Sequence, residues 1–126
     1  MEQARTEHPK RILVADDERH VARLVQVNLE RIGHAVDLAH DGIEARDLAM
    51  NGDYDVLVLD IMMPHMDGLK VLRTLRKDAR TRALKVIILT VKAQDADILK
   101  GLELGANVYL TKPFSPEDVV QALENL

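Results

Sequence analysis

The sequence predicts an α/β domain, a doubly wound (βα)5 sandwich built on a parallel five-stranded sheet. Five short apolar runs alternate with five longer amphipathic segments along the chain, and such alternation calls for parallel strands joined by right-handed crossovers. Two of the runs, Val56–Leu59 and Val86–Leu89, are continuous and rich in branched residues, the pattern of strands covered on both faces. A length of 126 residues suits one domain and is too short for two.

Ile12–Ala15 is the first strand, with charge on both sides. Val21, Leu24, Val25, Leu29 and Ile32 repeat at helical spacing after it, and Gly33 follows as a C-cap. Ala35–Ala39 alternates more weakly, as an edge strand does, and Ala45, Leu48 and Ala49 form a second helical stripe closed by Gly52. Beyond the Val56–Leu59 strand, Leu69, Leu72 and Leu75 begin a helix just after Asp67-Gly68. The Val86–Leu89 strand leads to Ile98, Leu99 and Leu102, then Gly105. Val108–Leu110 is the shortest strand. The last helix has the clearest start: Ser115 as N-cap, Pro116 at the first helical position and Asp118 three residues after the cap. Its apolar stripe is Val119, Ala122, Leu123 and Leu126. Residues 1–9 are a polar tail, and the domain runs over residues 10–126.

Composition excludes several functions. Hydrophobic residues at 47% and charged ones at 30% are ordinary for a globular domain. A net charge of −4 argues against direct nucleic-acid binding. With two tyrosines, one phenylalanine and no tryptophan, stacking platforms for bases or flavins are missing. The absence of cysteine removes disulfides, thiolate metal sites and thiol nucleophiles. No apolar run is long enough to span a membrane, and the polar N-terminus lacks the apolar stretch of a signal peptide. These features place the chain in the cytoplasm, away from membranes.

Ligands of doubly wound sheets bind beyond the carboxyl ends of the strands. Asp16-Asp17-Glu18 follow the first strand, Asp60 the third, Thr90 ends the fourth, and Lys112-Pro113 follow the fifth. Asp16 and Asp17 could serve as helix caps. Adjacent carboxylates also repel each other, and a hard divalent cation, Mg²⁺ or Mn²⁺, is their natural neutraliser. Asp60 is harder to dismiss, because an unpaired carboxylate at the end of a buried run is costly. Thr90 alone is an ordinary strand residue, and Lys112 alone a solvated loop lysine. Together they suit phosphoryl transfer, with a carboxylate-held cation, a lysine and a hydroxyl around the phosphoryl oxygens. No phosphate-cradling glycine loop accompanies them, so the acceptor is a protein side chain. Asp60 is the best-placed nucleophile, forming an acyl phosphate.

These residues sit in motifs that resemble the response-regulator receiver domain of two-component signalling over Lys10 to Leu126. The motifs are Ala15-Asp16-Asp17-Glu18, the stretch Leu57 to Gly68 around Asp60, Ile88-Leu89-Thr90, and Gly105 to Phe114 with Lys112-Pro113 inside it. The resemblance implies a flavodoxin-like sheet of order 2-1-3-4-5. It implies that Asp60 is the phosphoacceptor, supplied by a sensor histidine kinase or a phosphotransfer protein. Asp17, Asp60 and the backbone carbonyl of Met62 would ligate the Mg²⁺ directly, and Asp16 through water. Lys112 would pair with the phosphoryl group, Thr90 would close onto it, and Tyr109 would turn inward as the switch. Pro113 would follow a cis peptide bond. The responding face would be the fourth helix, fifth strand and fifth helix. It would act on a downstream effector protein or fused effector domain, or form a phosphorylation-dependent homodimer. The only catalysis implied is self-phosphorylation and self-dephosphorylation.

Val91 departs from the family, which usually has a small residue there, and a branched side chain could narrow the site. Met62 cannot hydrogen-bond an attacking water, which predicts slow self-dephosphorylation. An alternative reading is a receiver-like domain acting as a phosphate-independent interaction module. A Mg²⁺-dependent phosphohydrolase using an aspartyl phosphate fits less well, because such enzymes want a second aspartate where this chain has Met62, and a substrate cap. Met50, Met62, Met63 and Met66 read as packing residues. His8, His20, His34, His40 and His65 show no metal-ligand spacing and are expected at the surface. Arg73, Arg76, Lys77, Arg80, Arg82 and Lys85 read as a solvated basic face.

Overall fold

The computed structural model describes residues 5–126; residues 1–4 of the polar tail lie outside the described residues. The apolar runs form strands β1 (Arg11–Ala15), β2 (Ala35–Ala39), β3 (Val56–Leu59), β4 (Lys85–Thr90) and β5 (Val108–Thr111). The amphipathic segments form helices α1 (Arg19–Arg31), α2 (Gly42–Asn51), α3 (Gly68–Lys77), α4 (Asp95–Glu103) and α5 (Pro116–Glu124). All strand pairs are parallel, and the sheet order is β2-β1-β3-β4-β5. No helix among the described residues is long and apolar enough to cross a membrane.

The side chains of each inner strand divide between two cores. Ile12, Val14, Val56, Val58, Ile87 and Leu89 face α1 and α5. Leu13, Leu57, Leu59, Val86 and Ile88 face the layer containing α2 and α3. All four residues of β3 are fully buried, which is why its sequence shows no alternation. Weakly alternating β2 is at one edge of the sheet.

Helix ends follow the local chemistry. Asp41 and Asp67 accept backbone N–H groups at the starts of α2 and α3, and Ser115 with Asp118 forms a full capping box on α5. Gly33, at φ 112°, takes the left-handed conformation that closes α1. The loop after β3 presses onto α2 so closely that a Cβ on Gly42 would lie 1.7 Å from the Met66 carbonyl oxygen.

Three expectations need correcting. Leu24 is 47% exposed, Leu99 58% and Leu102 43%, although all three fall on apolar stripes. In α1 the buried face is Ala22, Val25 and Leu29, and in α4 it is Gly101. Arg76 is not simply a solvated cation. Its guanidinium donates to the Gly105 carbonyl at 2.8 Å and to the Arg82 carbonyl at 3.1 Å, tying α3 to the loops before β4 and β5. His34 is buried, with its Nδ1 accepting the Lys10 backbone N–H at 3.0 Å.

That bond requires a neutral imidazole. Burial, aided by nearby Lys10, pushes the His34 pKa below its ordinary value. A depressed pKa means that His34 contributes stability above pH ~6.5, the unfolded value, and that the contribution is lost as pH falls through the folded one. Thermal melts between pH 7.5 and 5.5 are expected to show that loss. It should flatten in His34→Asn, whose amide oxygen can accept the same N–H without titrating; an equally steep slope in the variant would count against this account.

Candidate functional site

The carboxyl ends of β1, β3, β4 and β5 bring the predicted residues to one end of the sheet. Register does this: Ala15 pairs with Leu59, and Thr90 with Thr111, so the next residues, Asp16, Asp60 and Lys112, leave the sheet together. Asp60 is held by its own backbone, its N–H donating to the Ala15 carbonyl at 3.0 Å. Its Oδ1 accepts the Met62 N–H at 2.9 Å. The Asp16 Oδ1 accepts the Glu18 N–H at 2.9 Å.

Lys112 is the centre of the arrangement. Its ammonium Nζ lies 2.8 Å from Asp16 Oδ2, 3.0 Å from Asp60 Oδ2 and 3.2 Å from Glu18 Oε1. The Lys112 side chain is only 8% exposed, and those of Asp16 and Asp60 are 3% and 5%. Burial works against the lysine's charge, but the bonds it donates to Asp16 and Asp60 more than offset that, so its pKa rises well above the usual range. Asp16 is pushed upward by burial, which outweighs its bond to Lys112. The Lys112–Pro113 peptide is cis, as expected.

Asp17 is exposed and completes a cluster in which oxygens of Asp16, Asp17 and Asp60 all lie within 4.8 Å of one another. Three carboxylates and one ammonium leave a net negative charge partly screened from water. All-oxygen donors of this kind fit a hard divalent cation such as Mg²⁺.

Thr90 is fully buried; its Oγ1 faces the Lys92 N–H at a long 3.5 Å. The Tyr109 hydroxyl donates to the Lys92 carbonyl at 2.8 Å. The ring is half-buried above α4, where a Cβ on Gly101 would come within 3.0 Å of it. Val91, the departure noted in the sequence, is 55% exposed. Glu18, read in the sequence only as part of the Asp-Asp-Glu run, supplies a third carboxylate to Lys112.

The family described as response regulator receiver domain matches residues 12–124. The alkaline phosphatase synthesis transcriptional regulatory protein PhoP of Bacillus subtilis is 46% identical over 110 residues, covering 87% of this chain and 45% of that protein. The chain thus spans less than half the length of this relative. Among solved structures, the receiver domain of Francisella response regulator 1452 superposes with a TM-score of 0.84 at 36% identity, covering 91% of this chain and 94% of that one. The chemotaxis response regulator CheY4 of Vibrio cholerae gives 0.88 at 28% identity, covering 94% and 98%. The sheet order, the strand-end carboxylates with their lysine, and a match along nearly the whole chain agree: the chain belongs to the response-regulator receiver domain family.

Proposed function

We propose that this receiver domain takes a phosphoryl group onto Asp60 and changes the surface formed by α4, β5 and α5. The observation that carries the reading is Lys112, whose Nζ sits 3.0 Å from the Asp60 carboxylate and 2.8 Å from that of Asp16. A carboxylate oxygen of Asp60 attacks the phosphorus of a phosphohistidine on a sensor kinase or phosphotransfer protein. A P–O bond forms, the N–P bond breaks, and the imidazole leaves with a proton. The Met62 N–H fixes the attacking carboxylate. Lys112 lies where it can move from carboxylate to phosphoryl oxygen and offset the roughly −1.5 to −2 charge a phosphoryl group adds.

Asp16, Asp17 and Asp60 would hold the Mg²⁺, together with the Met62 carbonyl. When bound, the cation neutralises charge on the phosphoryl oxygens. Thr90 would close on the new group. Its movement shifts the segment whose Lys92 carbonyl holds Tyr109, which links the acceptor to β5. The chain's catalysis is confined to its own modification. Output would pass to a downstream effector protein or fused effector domain, or through a phosphorylation-dependent homodimer.

The test is intact mass after incubation with acetyl phosphate and Mg²⁺. One phosphoryl gain is expected in the wild type and none in Asp60→Asn or in EDTA. A wild type that gains nothing refutes the reading and favours a phosphate-independent module; Val91→Ala then asks whether Val91 blocks access.

Met62, expected as a packing residue, is instead 49% exposed, and its side chain has no group that can orient water. Met62→Asn is expected to shorten the acyl-phosphate lifetime by roughly tenfold, equivalent to about 1.4 kcal/mol of transition-state stabilisation. Mass-resolved decay after donor removal measures it, and identical decay curves would remove Met62 from the account.

A further inference from the structure

Beside Asp60, a groove of about 600 Å³ runs between α3 and α4, sharing α4 with the α4–β5–α5 face. Its walls carry four cations: Lys70 and Arg73 on α3, Lys92 before α4, and Lys100 on α4. All four are exposed, and among the described residues none has a carboxylate within ion-pair distance. Asp67, the acidic residue in the lining, already uses its Oδ1 to cap α3. Four uncompensated cations around one groove run against the net charge of −4 on the whole chain. Like charges gathered this way repel one another, and an anionic occupant relieves that repulsion.

The rest of the lining says what kind of anion fits. Ile61, Met62, Met63 and Leu69 supply an aliphatic floor, with flexible thioethers that adapt to apolar side chains. A nucleic acid would find no aromatic ring to stack on and has no aliphatic anchors to offer. A small inorganic anion would meet exposed lysine and arginine side chains rather than a buried cage of donors. A helix with leucines on one stripe and carboxylates beside it matches both features, in the manner of helix-in-groove recognition. We propose that the α3–α4 groove docks an acidic amphipathic helix of a partner protein. Docking there places the partner against Met62 and Lys92, two residues beyond Asp60 and Thr90 respectively.

The inference does not depend on phosphate transfer and is tested on the unmodified protein. The probe is a short helix-forming peptide with leucines at i, i+4 and i+7 and flanking glutamates, titrated into isotope-labelled protein by NMR. Amide shifts are expected to centre on Leu69, Lys70, Arg73, Lys92 and Lys100. Affinity should fall about tenfold in Lys70→Glu/Arg73→Glu, and also in Lys100→Glu on the opposite wall, as repulsive charge pairs replace attractive ones. Both variants alter exposed side chains, and an unchanged spectrum elsewhere verifies their fold. The proposal is overturned if shifts map elsewhere, if the glutamine version of the peptide binds equally well, or if polyglutamate binds as tightly. It is also overturned if a single-stranded oligonucleotide moves the same amides at lower concentration.

Discussion

Replacing Lys112 with methionine is expected to destabilise the metal-free protein by about 3–5 kcal/mol, the usual cost of removing one partner from a buried charged cluster. Methionine roughly preserves the volume, so the loss reports charge rather than a cavity. Three carboxylates lie within 3.2 Å of the lysine Nζ, and two of them are almost wholly buried. Asp16 already has a folded pKa above its unfolded value. A group raised in this way favours the fold at low pH, and the contribution disappears as pH rises through the folded value. Without Lys112 the bond that pulls Asp16 back down is gone, so the deficit should be largest near neutrality and shrink toward pH 4. Urea melts in EDTA at pH 7.5 and 4.5 would show this. A deficit equal at both values would mean that the lysine acts through packing alone. Millimolar Mg²⁺ should restore part of the loss at pH 7.5, because a ligand of the native state stabilises by mass action.

The second large effect is at Gly68. Helix propensity alone favours alanine over glycine, by up to about 1 kcal/mol in a helix interior and less at this first position. Here the added Cβ would lie 2.3 Å from the Asp60 carbonyl oxygen and 2.7 Å from the Ile61 Cα. Both are backbone atoms, one of them belonging to Asp60 itself, so neither can swing aside. Gly68→Ala is therefore expected to lose about 3 kcal/mol, the upper range for overpacking, and to slow phosphate uptake from acetyl phosphate. The opposite signs of propensity and collision make the result decisive. A melting temperature at or above wild type would show that the loop after β3 yields freely.

Much of this was legible in the sequence because parallel strands buried on both faces leave continuous branched runs. Those runs located the strand ends, and the strand ends located Asp16, Asp60, Thr90 and Lys112. Helix orientation was less legible. Leu24, Leu99 and Leu102 satisfy helical spacing but sit on outward faces, because periodicity gives a stripe without saying which neighbouring stripe is turned to the sheet. His34 was misplaced for a related reason: its partner is a backbone N–H from Lys10, and no side-chain pattern advertises that. The tight approaches at Gly42 and Gly68 depend on loops folding back, which spacing along the chain does not encode.

The pairing of β1 with β3 has a kinetic consequence. It sets Ile12 beside Val56 and hangs the Asp60 N–H on the Ala15 carbonyl, while the lysine that completes the set arrives only with β5. Contacts so distant along the chain close late, since loop closure must come before they are rewarded. A partly made domain, whether emerging from the ribosome or transiently opened at either edge, would have an aspartate but no assembled acceptor. On the proposed function, the topology would keep a copy that has not finished folding from taking up phosphate.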